Sequence, residues 1–261
     1  MKHLNQFITE YIIKKKLDKP IDSEDHYEYY PKTKKELVYQ IKQLIEQDIY
    51  DFNCIDTSEI TDMSDLFRDI DINKNFDVSK WDVSNITNMS YIFTNCSEFN
   101  GDLSNWDVSK VTNMDRMFLG CNIFEGKGLD KWNVSNVKHM SSMFSLCTKF
   151  DGKSIENWNV GNVISARNMF YGCENLDCDL SNWDISKVMD MNQMFYDCIN
   201  FEGDGIENWN VGNVTNMYSM FYNCTNFNCD LSNWNISNVK NMSFAFYNCK
   251  SLKNKPRWYK E

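Results

Sequence analysis

Residues 106–121 read Trp106-Asp-Val-Ser-Lys-Val-Thr-Asn-Met-Asp-Arg-Met-Phe-Leu-Gly-Cys121, and the same phrase returns along most of the chain. Tryptophans stand at Trp81, Trp106, Trp132, Trp158, Trp183, Trp209 and Trp234, 25 or 26 residues apart, with Trp258 a further 24 on. Cys96, Cys121, Cys147, Cys173, Cys198, Cys224 and Cys249 keep step, each fifteen places after a tryptophan. Two unrelated residue types on one such period mark a tandem array, in which a unit too small to bury its own apolar face is stabilised by its neighbours. Upstream, Ile55 to Met63 matches Trp81 to Met89 with isoleucine in the tryptophan's place. Eight units of 25–26 residues are therefore read, beginning at Ile55, Trp81, Trp106, Trp132, Trp158, Trp183, Trp209 and Trp234 and closed by Trp258.

Within each unit the apolar period changes. Trp106 and Val108 are two apart, as in a strand, whereas Met114, Met117, Phe118 and Cys121 stand at i, i+3, i+4 and i+7, one face of a helix. Asn88, Asn113, His139, Ser165, Asp190, Asn216 and Asn241 precede that stretch and read as N-caps. The expected fold is a right-handed, leucine-rich-repeat-like α/β solenoid, each unit a short parallel strand and a short helix. Its core columns are the seven tryptophans with Phe93, Phe118, Phe144, Phe170, Phe195, Phe221 and Phe246. Strands ~4.8 Å apart against helices ~8–10 Å apart predict a curved array with the strands inside.

Residues 1–54 lie outside the pattern. Leu4, Phe7, Ile8, Tyr11 and Ile12 suit an amphipathic helix, and Thr33 with Glu36 looks like a capping box opening a second helix that carries Leu37, Ile41, Leu44, Ile45 and Ile49. Two readings stand for this segment: a helical cap over the first unit, or a docking arm. The domains are thus 1–54, the repeat array 55–258, and a tail 259–261.

Composition narrows the function. With 42% hydrophobic and 15% aromatic residues and only 3 Pro and 10 Gly, disordered and collagenous classes are excluded. Lys+Arg number 27 against 37 Asp+Glu, for a net charge of −10. Residues 1–50 carry nine of each sign, so the excess acid lies on the repeats. Such a chain is repelled by nucleic acid and by anionic membrane surfaces. No signal peptide or membrane-spanning segment is read, which leads to an expectation of cytoplasmic or virus-particle association rather than secretion.

The stretches Phe99 to Met114 and Met220 to Phe227 resemble the BspA-like leucine-rich-repeat surface proteins, in the Trp-Asp-Val-Ser, Met-x-x-Met-Phe variety of mycoplasma lipoproteins and gut bacteria. The resemblance covers 55–258. It implies a solenoid displayed on a surface, attached to other proteins or cells, with no catalytic residues to carry over.

The chemistry-bearing residues point the same way. The ten cysteines include no Cys-x-x-Cys, and His3, His26 and His139 are not placed to complete a zinc site. Helices ~8 Å or more apart exceed the reach of a disulfide ladder, so buried free thiols are expected, with Cys178 and Cys229 the more exposed. Gly101-Asp102 and Gly203-Asp204 recur too sparsely for a calcium-binding coil. No metal, cofactor or catalytic set is read. The aromatic column reads as packing, with sugar stacking as the alternative. Asp82, Asp107, Asn133, Asn159, Asp184, Asn210 and Asn235 each follow a core tryptophan and by strand alternation point outward. That column reads either as a solvated face or as a rigid surface for a protein partner. Asn105, Asn157, Asn182, Asn208 and Asn233 either join it or turn inside. The expected function is a non-enzymatic interaction or assembly scaffold. The alternatives are a surface adhesin, a phage or virus particle component, and a glycan-binding module.

Overall fold

The computed structural model describes residues 27–68, 70 and 72–259. The expected helix through Leu4, Phe7, Ile8, Tyr11 and Ile12 falls outside these residues. The second expected helix is present as α1, Lys34–Glu46. Thr33 Oγ1 accepts the Glu36 N–H at 3.3 Å, satisfying a donor that a helix start leaves open, while Glu36 Oε2 accepts the Lys32 N–H at 2.8 Å just before the cap. Leu37, Ile41 and Leu44 are buried and join the core of the array, whereas Ile49 lies beyond the helix and is 39% exposed. Lys32 and Lys34 reach Glu59 and Asp62 of the first unit, so α1 lies against that end of the array.

The repeats correct the expected fold class. They are not α/β units: among the described residues as a whole helix accounts for 8%, most of it α1, and strand for 5%, with no sheet. Beyond α1, the helical segments among the described residues are two 3-10 turns, Leu129–Lys131 and Lys153–Ile155. From the second unit on, extended pairing is reduced to one residue per unit, in the parallel column Asn88, Asn113, His139, Ser165, Asp190, Asn216 and Asn241. The residues read as helix caps are therefore the bridge residues. Five of them, Asn88, Asn113, Asp190, Asn216 and Asn241, still accept the N–H two residues on through Oδ1, opening a turn rather than a helix.

Backbone hydrogen bonds show why the helical period misled. The Met114, Arg116, Phe118 and Gly120 N–H groups donate to His139, Ser141, Met143 and Ser145 of the next rung at 2.8–2.9 Å. Between them, Met117, Leu119 and Cys121 donate back to Met114, Arg116 and Phe118. No N–H in this run makes the i→i−4 bond of an α-helix. The chain turns through left-handed residues at Arg116 (φ 56°) and Gly120 (φ 75°), and again at Ser142 and Leu146 one rung on. Met114, Met117, Phe118 and Cys121 are all fully buried, so a chain of turns reproduces the burial period of a helix.

The turn chain is favoured because it allows a closer repeat. A helix satisfies its own backbone and keeps its neighbour ~8–10 Å away. Sending every second N–H across the gap holds the rungs at strand-like separation. Successive Phe93, Phe118, Phe144, Phe170, Phe195, Phe221 and Phe246 rings stack at 5.5–5.9 Å, and Tyr171, Tyr196, Tyr222 and Tyr247 at 4.5–4.7 Å. The premise for strong curvature, helices wider apart than strands, is therefore absent.

The Trp-Asp-Val-Ser segment is likewise turned. Trp106 donates its N–H to Leu103 and Val111 donates to Val108. Every core tryptophan is 2–6% exposed, and its indole N–H crosses one rung back, as from Trp132 to Leu103 O at 3.0 Å and from Trp158 to Leu129 O at 2.8 Å. That bond satisfies the one polar atom of a large buried side chain. Ile55, Ile60, Met63 and Phe67 are buried too, so the first unit is part of the same interior. Outside it, Tyr29 pairs with Ile55. At the other end Trp258 stacks on Trp234 at 6.4 Å.

Candidate functional site

Asp82, Asp107, Asn133, Asn159, Asp184, Asn210 and Asn235 are all exposed. Their outward direction comes from the turn, not from a pleated strand. Each Oδ1 accepts the N–H two residues on, at 2.9–3.2 Å: Ser84, Ser109, Ser135, Gly161, Ser186, Gly212 and Ser237 are the donors. The same bond closes the turn and fixes the side chain of an exposed residue. The Ser109 hydroxyl and N–H hold the Asp107 carboxyl below the usual carboxylate range, and Ser186 does the same for Asp184.

A second column runs beside it. Asn136, Asn162, Asn213 and Asn238 donate Nδ2 to Ser109, Ser135, Ser186 and Gly212 of the preceding rung at 2.6–2.8 Å. Lys110 and Lys187 occupy the same place in their rungs and reach Asn85 and Asn162 Oδ1 at 3.1 and 2.6 Å. Asn105, Asn157, Asn182, Asn208 and Asn233 are exposed rather than turned inside, with Asn182 donating to Asn157 at 3.1 Å. The result is a polar face whose groups are tied to the backbone or to one another.

The cysteines form an interior column. The Cys121, Cys147, Cys173, Cys198 and Cys224 thiols donate to the phenylalanine carbonyl one rung back at 2.8–3.1 Å, and burial pushes their pKa values well up. All ten cysteines are free. Cys178 is only 5% exposed, which corrects its expected accessibility; the partly exposed thiols are Cys54, Cys229 and Cys249. At Cys178 the pocket is closed from the preceding rung, since a Cβ added at Gly152 would come within 2.5 Å of its sulfur.

The seven tryptophans and their phenylalanine partners are interior and present no ring face to a sugar. Asp102, at a Gly-Asp pair, accepts from Ser104 and forms a 2.9 Å ion pair with Lys127, which together bring its pKa to about 2. Among the described residues no group of three His, Cys, Asp or Glu is arranged to hold a metal ion. Among the same residues no helix is long and apolar enough to cross a membrane.

Two surface features were not singled out from the sequence. Tyr171, Tyr196, Tyr222 and Tyr247 stack face to face along one side of the array. Burial, then the neighbouring Asp197 carboxylate, raises the Tyr171 and Tyr196 pKa values. Their spacing of 25, 26 and 25, each directly after a core phenylalanine, was the available signal. The other feature is an aromatic and basic patch on the last rung, where Phe244 and Tyr247 are each 53% exposed.

No curated protein and no solved structure matches the chain. A family model does match, over residues 33–153, 120–205 and 179–259, and its description is a Mycoplasma protein of unknown function, DUF285. The three overlapping matches span the array together with α1, and the chain belongs to that family.

Proposed function

We propose that the chain is a non-enzymatic protein-binding or assembly module that meets its partner through the exposed face carrying Asp82, Asp107, Asn133, Asn159, Asp184, Asn210 and Asn235. The observation that supports this reading is the hydrogen bond each of these side chains makes to its own turn. A surface whose polar groups are already held loses little side-chain freedom on association. The adjoining amide and lysine column extends that ordered face across the same rungs. A repeated position also suits a repeated or extended contact better than catalysis, which needs singular groups in one place. Within the family, the Trp-Asp-Val-Ser and Met-x-x-Met-Phe phrases favour kinship with BspA-like proteins, with attachment at a cell or particle surface as the setting.

The test is cross-linking of native material, followed by reconstitution with a variant in which Asp82, Asp107 and Asp184 are replaced by Asn. Asparagine keeps the Oδ1 acceptor and the turn while removing charge. A specific complex weakened in the variant, with Tm lowered by no more than a few degrees because these carboxylates are exposed, is expected. Only monomer in native material, or a complex indifferent to the three substitutions, overturns the reading.

A further inference from the structure

One column of the array changes character partway along. The place after the core phenylalanine is held by Thr94, Leu119 and Ser145, and then by Tyr171, Tyr196 and Tyr222. The rungs with threonine, leucine and serine there stack as closely as the others, with phenylalanine rings at 5.5–5.9 Å, so the array does not need an aromatic ring at that place. The three tyrosines lie inside the array, with Ser145 before them and Tyr247 after, and they are partly exposed. Their rings are parallel within 7° at 4.7 and 4.5 Å, so that edges and hydroxyls, not ring faces, meet the surface. Leu146, 44% exposed, reaches over Gly172 beside Tyr171, where an added Cβ would come within 2.8 Å of its Cδ2.

Two observations say what this ridge fits. The first is its axial repeat. Alternate rings, Tyr171 and Tyr222, stand about 9 Å apart, and a polyproline II helix completes a turn of three residues in about 9.3 Å. Such a segment laid along the column meets both rings with the same face. A β-strand repeats its side chains every ~6.7 Å and an α-helix turns every ~5.4 Å, so neither keeps step. The second is charge. Residues 154–239, which carry the three tyrosines, hold eleven acidic residues against Arg167 and Lys187. Glu174 is exposed in the rung of Tyr171, and Asp197 directly follows Tyr196, held by a 2.7 Å bond from Asn223 Nδ2.

We propose that the tyrosine column docks a proline-rich, lysine- or arginine-bearing segment of a partner protein, held as a polyproline II helix along the axis of the array. That conformation makes no internal hydrogen bonds, so its carbonyls are free to accept from tyrosine hydroxyls. It is ordered before binding, and its proline rings pack on the apolar edge of the stack and on Leu146. The basic side chains meet the acidic rungs. The surface belongs to a different column from the Asp/Asn face of the proposed function, and the two fail independently.

The experiment uses the full chain and a fluorescein-labelled, end-capped peptide of nine prolines with two lysines at each end, followed by anisotropy. Saturable binding is expected. Tyr171→Ser with Tyr196→Ser, which restores the residue type found at Ser145, should weaken it about tenfold or more. Tyr171→Phe with Tyr222→Phe keeps the rings and their stack, and should weaken it about three- to tenfold through the lost hydroxyls alone. Asp82→Asn with Asp107→Asn, on the other column and in earlier rungs, should bind the peptide as before. No saturation up to about 1 mM peptide, equal affinity for a peptide in which glycine and serine replace the prolines, or unchanged affinity in both tyrosine variants overturns the proposal. So does self-association of the free chain that the serine variant abolishes, which would make a second copy the occupant of the column.

Discussion

Replacing Arg116, Leu146 and Gln193 together, once by Gly and once by Ala, tests the backbone of the repeat directly. All three are non-glycine residues at positive φ, 56°, 64° and 53°. Leu146 stands where the neighbouring rungs carry Gly120 and Gly172 at 75° and 71°. Both triple variants lose the same side chains, so their difference reports backbone preference alone. A left-handed conformation costs a residue with a Cβ roughly 1–2 kcal/mol, against which the extra freedom of glycine in the unfolded chain takes back about 0.5–1 kcal/mol. The glycine variant should be favoured by about 0.5–1 kcal/mol per site, or roughly 1.5–3 kcal/mol over three sites in different rungs. For a chain of this size that is a Tm difference of roughly 3–12 °C. Had the segment been helical, alanine would win by about 1 kcal/mol per site, and the sign would reverse. Thermal and urea unfolding followed by tryptophan fluorescence distinguish the two. An alanine triple as stable as the glycine triple, or more so, refutes the turn ladder.

A thiol reagent at pH 8 should modify Cys54, Cys229 and Cys249 first, with Cys96, Cys121, Cys147, Cys173, Cys178, Cys198 and Cys224 reacting only on unfolding; mass spectrometry showing equal labelling of all ten would contradict the buried column. Phe144 is fully buried between Phe118 and Phe170, so Phe144→Ala should cost about 3–5 kcal/mol and lower Tm by roughly 6–20 °C. Ile123→Ala, at a residue 37% exposed, should shift it far less, and comparable shifts would count against a continuous core. Asp102 titrates at about 2, and the Asp107 and Asp184 pKa values are also lowered. A carboxyl with a depressed folded pKa stabilises the fold above its unfolded value and loses that contribution as pH falls through the folded one. Tm should therefore drop as pH goes from about 5 to about 2, and Asp102→Asn should flatten the drop by a degree or two at most, because the group is exposed. An unchanged slope in that variant would remove Asp102 from the account.

The inward set of residues was legible because burial follows a one-dimensional pattern. Trp106, Val108, Val111, Met114, Met117, Phe118 and Cys121 are all 3% exposed or less, and each recurs at a fixed phase. The backbone between them was not legible. An i, i+3, i+4, i+7 apolar pattern constrains which side chains share a face, and an α-helix and a succession of turns with left-handed residues at 116 and 120 both satisfy it. Nothing in Arg116, Ser142 or Gln193 announces positive φ; Gly120 and Gly172 hint at it, four residues after the first left-handed position. The outward Asp/Asn column was found for a partly mistaken reason, since the turn bond to residue i+2 directs it rather than strand alternation. The tyrosine column went unread although its spacing is as regular as that of tryptophan.

Repeat length, unit count, the interior aromatic and thiol columns and the acidic balance were determined by the order of residues alone, because each is a matter of which side chains recur at which interval. Secondary structure in the repeats was decided only by stacking. Whether the Phe118 N–H bonds within its own turn or to Met143 of the next rung depends on how near that rung lies, and that distance is set by large rings packing face to face across the whole array.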